Sequence, residues 1–257
     1  MIKRYSTLLL LCSFIAFTFL NASAAEKRGV EKSYPLKRGE ELTYEITWYG
    51  ILAGIGKLKV GDKTSYQGKE VYRLVSQGVS AGVIGKFYRV DDRLEVLVDP
   101  EGLYPYYAFL YQQEGSRRKT TEVFFHQEKN KITYITNKGK PREFTAPPEV
   151  LDVLSSLYFF RSQKLTANHP IPMKVFSNKK IFSAQATIVD REKLKTPLGE
   201  LATLLIKPTI SLNGASYKEG NAVMWLTSDE RRIPVKIKIK APIGHIIATL
   251  VDYKIAD

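Results

Sequence analysis

The chain is poor in side chains that bind metals or form cross-links. Its only cysteine is Cys12, and its only histidines are His126, His169 and His245. A single cysteine cannot form an intrachain disulfide. The histidines are far apart in sequence and none has a partner at the spacing of a metal motif, so we expect each to have a structural or surface role. We therefore predict no metal site and no cofactor.

Catalytic motifs are also missing from the sequence. There is no G-x-S-x-G element, and no glycine-rich loop precedes a helix. Ser155 and Ser156 follow Asp152 closely, but no base is near them in sequence, so we interpret them as small packing residues. We interpret Asp91 and Asp92 as charged residues that protect a sheet edge or form a turn, rather than as a catalytic acid/base pair. We predict that the protein is not an enzyme.

Long hydrophobic runs occur only at the N-terminus. Leu8–Leu20 is apolar, follows two basic residues, and is succeeded by Ala22-Ser23-Ala24, a small-x-small cleavage signal. The run is too short for a comfortable transmembrane helix and is typical of a secretory signal peptide. We predict that residues 1–24 are removed on export to an oxidising compartment such as a periplasm, and that Cys12 leaves with them.

Acidic residues are scarce relative to basic ones. The chain has 39 Lys and Arg against 26 Asp and Glu, for a formal net charge of +13, to which the leader contributes two. In an exported protein such a charge suits an anionic membrane surface or another acidic envelope polymer better than nucleic acid. Most of the positive charge is explained by lysines on solvent-exposed strand faces, such as Lys236, Lys238 and Lys240.

The pattern that is present is that of β-strands. The clearest example is Val223–Lys240, a predicted hairpin with a polar turn at Ser228–Glu230. Its second arm alternates strictly between Val235, Ile237, Ile239 and the three lysines, which predicts one dry and one wet face. Several glycines between Gly50 and Gly61 predict a strongly curved second strand.

One segment departs from this β pattern. After Pro147 and Pro148, apolar residues over 149–163 follow helical spacing, which predicts an amphipathic helix. The fold class is therefore mainly β, a curved antiparallel half-barrel or sandwich-like sheet with this helix packed against it as a plug or lid. We divide the chain into the signal peptide, a loose arm over 25–38, and one β-rich domain over 39–257. Two β units meeting at the helix are the alternative.

Aromatic side chains and two arginines suggest where a ligand could bind. A curved sheet can enclose one apolar ligand. The residues predicted to line such a cavity, or otherwise to form ordinary core, are Trp48, Tyr88, Tyr106, Phe109, Leu154, Tyr158 and Trp225. Arg231 and Arg232 are predicted to hold an anionic head group at its rim, or else to pair with Asp229, Glu230 or another carboxylate.

Several stretches together resemble a known family. They are Gly39–Gly54 (GEELTYEITWYGILAG), Asp99–Pro105, Leu151–Arg161, Met224–Val235 and Pro242–Leu250. In this order they resemble the exported bacterial proteins grouped as domain-of-unknown-function family 3108. The resemblance implies an exported, mainly β protein of Gram-negative type, located in the periplasm, and it brings no catalytic residues with it.

These observations favour a non-enzymatic periplasmic protein that binds or carries an apolar, lipid-like ligand in the cell envelope. An envelope assembly or scaffold protein, which acts through contacts with other envelope proteins, is the alternative. An enzyme acting on envelope glycans or peptides is less favoured, because it would need a cleft with converging titratable groups.

Overall fold

The computed structural model describes residues 36–216, 222–241 and 244–255. The predicted signal peptide and most of the predicted arm lie outside these residues. Fifteen strands and two α-helices form the described part of the chain, in agreement with the predicted class. No helix in these ranges is long and apolar enough to cross a membrane.

The strands are distributed along the whole described chain. Their bounds are β1 Glu41–Trp48, β2 Ile51–Tyr66, β3 Lys69–Ser80, β4 Val90–Val98, β5 Pro105–Glu114, β6 Arg117–His126, β7 Lys131–Thr136, β8 Arg142–Thr145, β9 Ile171–Ser177, β10 Lys180–Thr196, β11 Gly199–Leu212, β12 Ala215–Ser216, β13 Ala222–Thr227, β14 Pro234–Ala241 and β15 Gly244–Lys254. The helices are α1 Gly82–Phe87 and α2 Val153–Ser162.

All fifteen strands belong to one antiparallel sheet. Its order is β8-β7-β6-β5-β4-β3-β2-β1-β15-β14-β13-β11-β10-β9, with β12 paired to β11. The pairing of β1 with β15 joins the first and last strands, so the two halves of the chain continue each other across the sheet. Strands β8 and β9 are its edges, and the sheet is therefore open.

The two edges nevertheless approach each other. Phe176 of β9 packs against three aromatic rings of the opposite edge, with ring centroids 5.4–6.3 Å apart, on Phe125, Tyr134 and Phe144. Leu151 forms a bridge to Val175 on β9. The sheet thus curls around an interior in which α2 lies, although no ladder of hydrogen bonds among the described residues joins β8 to β9.

Helix α2 begins later than the sequence predicts. The helical pattern suggests a start at Glu149, but Glu149 has φ +55°, and Leu151 donates its N–H to the Lys174 carbonyl over 2.8 Å. The segment before the helix is therefore extended against β9. Asp152 then caps the helix, its side chain accepting from the N–H groups of Leu154 and Ser155 while the Ser155 hydroxyl caps in return.

A buried ion pair fixes the other end of α2. The Arg161 guanidinium donates two 2.7 Å hydrogen bonds to the carboxylate of Glu40, and both side chains are only 1% exposed. Arg161 also donates to the carbonyl oxygens of Arg231 and Arg232. Burial acts to lower the pKa of Arg161, but the Glu40 carboxylate outweighs burial and the pKa is raised. The helix is anchored to Glu40, which immediately precedes β1, and to the β13–β14 turn.

The predicted hairpin of the second half is confirmed, as β13 and β14. Trp225 and Lys236 are register partners, and the Lys236 ammonium lies 5.3 Å from the Trp225 ring centre. Val235 and Ile239 are buried on the opposite face. The short helix α1 lies between β3 and β4 and buries none of its side chains.

Candidate functional site

The interior of the curled sheet contains a cavity of about 420 Å³. It lies between β4–β7, the start of α2 and the end of β9. Its apolar walls are Leu94, Ala108, Leu110, Val123, Phe125, Tyr134, Val153 and Phe176. Exposed Arg117 and Asn178 also line it, so the cavity reaches the surface at that end. Its volume is in the range of small-molecule binding sites, about 300–1,000 Å³.

The cavity follows from a mismatch of lengths. Helix α2 has ten residues and is about 15 Å long. Strands β5 and β6 also have ten residues each, but an extended chain of that length spans about 33 Å. One short helix cannot cover the full length of these strands, so part of their inner face is left without a packing partner.

The inner faces of β5 and β6 change character along their length. From the open end inward, β6 presents Arg117, Lys119, Thr121, Val123 and Phe125. In the same direction β5 presents Glu114, Gln112, Leu110 and Ala108, which pair with the first four of these in register. The cavity is therefore charged at its mouth, polar in the middle and apolar at its inner end.

Asp152 brings a buried carboxylate to the cavity wall. Its Oδ1 accepts the two helix-capping hydrogen bonds, whereas Oδ2 has no hydrogen-bond partner among the described residues. Burial raises the pKa of Asp152 above the ordinary range of an aspartate. A buried carboxylate oxygen without a hydrogen-bond partner is costly, and this cost favours the protonated form of the side chain.

A second groove continues from the mouth of the cavity. It encloses about 480 Å³ and shares Arg117, Lys119 and Tyr134 with the first cavity. The other charged residues along it are Lys140, Arg142 and Lys179. The Lys179 ammonium lies 5.3 Å from the centre of the Tyr134 ring, at the junction of the two spaces. Within the described part of the chain, no carboxylate lines this groove.

Smaller spaces follow α2 farther into the fold. A cavity of about 60 Å³ shares Val153 with the large one and is lined by Leu154 and Leu157. A third, of about 20 Å³, shares Leu157 with the second. The interior is thus well filled beside the middle of the helix and hollow only at its N-terminal end.

The residues predicted from the sequence to line one cavity are dispersed in the structure. Leu154 lines the 60 Å³ space, and Tyr158 is fully buried beside Arg161, 5.0 Å from its guanidinium. Tyr106 lines a separate 210 Å³ groove and donates a hydrogen bond to Asp99. None of the three lines the 420 Å³ cavity.

The remaining predicted lining residues lie toward the outside. Trp225 donates to Glu192 and is covered by Lys236 on the outer face of the sheet. Phe109 is on the outer face of β5, since its neighbours Ala108 and Leu110 point into the cavity. Trp48 packs at the edge of the core near Tyr49, and Tyr88 is 46% exposed.

The two arginines predicted at a cavity rim make other contacts. Arg231 forms an ion pair with Asp229 at 2.5 Å, the alternative that the sequence left open. Arg232 donates to the backbone carbonyls of Arg161 and Gln163 and helps to hold the end of α2. Neither lines the 420 Å³ cavity.

The residues that do line the cavity carried a signal in the sequence. Lys119, Thr121 and Gln112 occupy the inward positions of strands whose other inward residues are apolar. Polar or charged residues in the buried phase of a strand indicate a ligand or water-filled site. Strand register was needed to show that these positions adjoin each other.

The histidines do not assemble into a site. His126 contacts the Thr133 hydroxyl at 3.0 Å, and His169 contacts the Ala167 carbonyl at 3.1 Å. Among the described residues, no group of three His, Cys, Asp or Glu side chains is placed to hold a metal ion.

The curled sheet with an internal helix defines a β-barrel-like class of fold. The chain is similar to the crystal structure of a beta-barrel-like protein of domain of unknown function DUF1849 from Brucella abortus, with a TM-score of 0.59 and 9% identity over 87% of this chain and 100% of that one. The likeness shows the fold.

The chain belongs to the family described as protein of unknown function (DUF3108), whose model matches residues 43–251, and the resemblance noted in the sequence is thereby confirmed. A protein with a YmcC-like fold from Bacteroides fragilis, described as exported, is similar at a TM-score of 0.35 and 11% identity over 88% of this chain and 99% of that one. A protein from Parabacteroides distasonis described as a lipoprotein has a TM-score of 0.35 and 10% identity over 88% and 100%. No curated protein matches the chain.

Proposed function

We propose that this protein is a non-enzymatic binding or carrier protein of the periplasm that holds an apolar, lipid-like ligand in the 420 Å³ cavity. The observation that carries the proposal is the cavity itself, which has apolar walls and an opening to the surface. The signal peptide pattern over residues 1–24 supports the location. In this role the outer lysines of β14 would face an anionic membrane leaflet.

The energetics of such binding are favourable. Burial of lipid chains contributes about 0.8 kcal/mol per methylene, so eight methylenes would contribute about 6 kcal/mol before the cost of association. Helix α2 acts here as a fixed plug, because Asp152 caps one end and the buried Glu40–Arg161 pair holds the other. The ligand would enter from the open end of β5 and β6 without displacing the helix.

Filling the cavity tests the proposal. In Leu110→Trp, an indole would occupy space that a ligand needs, and we expect the affinity for the neutral fluorescent probe N-phenyl-1-naphthylamine to fall by about tenfold or more, equivalent to about 1.4 kcal/mol. Phe109→Trp is the matched control, since it places the same side chain on the outer face of the same strand.

Native mass spectrometry of protein isolated from the periplasm gives a second readout. We expect a chain that begins at Ala25 and carries a bound amphiphile, which Leu110→Trp lacks and Phe109→Trp retains. Wild-type protein that binds no probe, or equal binding by both tryptophan variants, would overturn the proposal.

A further inference from the structure

We propose that the ligand is an anionic amphiphile, whose apolar chain occupies the cavity and whose phosphate or carboxylate head group lies among Lys119, Arg117 and Lys179 at the mouth. This inference rests on the function proposed above and specifies its ligand class.

Lys119 is a cation on the inner face of the sheet. It occupies an inward position of β6, between exposed Arg117 and buried Thr121, and is itself half-buried. Its register partner is Gln112, a neutral residue. An inward ammonium group loses hydration without gaining a counter-charge from its partner. An anionic ligand would supply that charge.

Positive charge predominates at the mouth of the cavity. Among the described residues, none of the five cations along the groove forms an ion pair, whereas ten lysines and arginines elsewhere in the described chain do. Two acids line the cavity, Glu114 in register with Arg117 at the rim and Asp152 at the start of α2, and Asp92 lies one strand beyond Gln112. The five cations therefore outnumber the acids on this side of the opening.

Lys179 has a backbone conformation that is unusual for lysine. Asn178 and Lys179 form the two-residue turn between β9 and β10, with φ of +47° and +64°. Glycine is the preferred residue at the second position of such a turn, because it adopts positive φ at no steric cost. Lysine is strained there, yet its ammonium lies over the Tyr134 ring at the cavity junction. The side chain thus provides a charge at a place where the backbone alone would favour glycine.

The polarity gradient gives the ligand its orientation. The inner faces of β5 and β6 become steadily less polar from the mouth inward. An amphiphile matches this gradient only with its head outward, at the cations, and its chain inward, beside Val123 and Phe125. A neutral lipid would leave the cations unpaired, and a free anion would leave the apolar part empty.

The test compares ligands with the same chain and different head groups. We expect decyl phosphate and decanoate to bind wild-type protein about tenfold or more tightly than decanol, because partly solvated charge-assisted contacts give an effect of that order. Binding is measured below the micellar concentration, by displacement of N-phenyl-1-naphthylamine. Glycerol 3-phosphate, a head group with no chain, should not displace the probe or bind measurably by calorimetry.

Two double variants identify the residues responsible. Lys119→Gln with Lys179→Gly should abolish the preference for the anionic ligands, so that decyl phosphate and decanoate bind no more tightly than decanol. Because glycine relieves the strained turn, lost folding would not explain that result. Lys236→Gln with Lys238→Gln removes the same charge from the outer face of β14 and should keep the preference.

Each outcome bears on a different claim. Equal binding of all three decyl ligands overturns the anionic head group and leaves the carrier function standing. Failure of every decyl ligand to bind overturns both. Binding of glycerol 3-phosphate as tight as that of decyl phosphate shows a free-anion site and overturns the amphiphile. A preference that survives the Lys119/Lys179 variant overturns the assignment to these residues.

Discussion

The two sides of helix α2 are packed very differently. Toward β9–β13, the helix contacts a filled core around Ile206 and Leu226, which encloses a space of about 20 Å³. Toward β4–β7, its first turn faces the 420 Å³ cavity. The same short helix therefore stabilises one half of the sheet and leaves the other half partly hollow. The filled half is therefore expected to contribute more to stability, and the hollow half contains the candidate site.

Breaking the anchor of the helix should have the largest effect, because it disturbs both halves. Arg161→Met leaves the Glu40 carboxylate buried without its partner, and we expect the free energy of unfolding to fall by about 3–5 kcal/mol. Urea denaturation measures this loss. Arg231→Met is the control, since its pair with Asp229 is 42% exposed on each side and its loss should cost under about 1 kcal/mol. Similar losses in the two variants would contradict the anchoring role.

Truncating one aliphatic side chain in each half sharpens the comparison. Ile206→Ala opens a void in the filled half and should cost about 3 kcal/mol. Leu110→Ala only enlarges an existing space, and we expect a loss of about 1 kcal/mol. Chemical denaturation of both variants in the absence of ligand measures the two losses in the free energy of unfolding. If Leu110→Ala proved as costly as Ile206→Ala, the hollow half would be filled in solution.

Two buried carboxylates have different surroundings in this fold. Glu40 is paired with Arg161, whereas Asp92, on the inner face of β4, forms no ion pair among the described residues and accepts a hydrogen bond from the Gln113 N–H. Burial raises the pKa of Asp92 to about 6, with smaller contributions from the negative charges of Glu114 and Asp91. The folded protein therefore binds this proton more tightly than the unfolded chain does.

The smallest expected effect follows from that pKa. The contribution of Asp92 to stability is fully present below its unfolded pKa of about 3.9 and is lost as pH rises through about 6, because the folded state resists ionisation. Asp92→Asn keeps the hydrogen-bond acceptor without the charge, so at pH 8 we expect it to stabilise the fold by about 1–2 kcal/mol. Urea denaturation at pH 8 and pH 4 measures the difference. A gain at pH 4 as large as that at pH 8 would show that ionisation is not its cause.

The class of fold and several of its elements could be predicted from the sequence. The alternation over Val235–Lys240 and the polar turn before it give the β13–β14 hairpin, because strand periodicity and turn chemistry are local. The helix was predicted in the right place, but its start was not. The spacing of apolar residues predicts that Leu151 belongs to the helix. In the structure its backbone N–H instead donates a hydrogen bond to the Lys174 carbonyl of β9. That competing partner is 23 positions away and invisible to a local pattern.

The candidate site could not be assembled in the same way. Large aromatics such as Trp225 suggested a cavity lining, yet an aromatic side chain suits the outer face of a sheet equally well when a lysine such as Lys236 covers it. The informative residues were smaller and more polar, such as Gln112 and Thr121. Their meaning depends on which strands are neighbours.

The sequence by itself determined the family, the strand-rich build and the helix, because each depends on the order and spacing of nearby residues. Tertiary structure alone decided where the hollow lies. A ten-residue helix is shorter than the strands that surround it, and only the pairing of β4 through β7 shows which inner faces it leaves uncovered. The curl of the sheet brings Lys119 of β6 and Lys179 of the β9–β10 turn, which are remote in sequence, to the same opening.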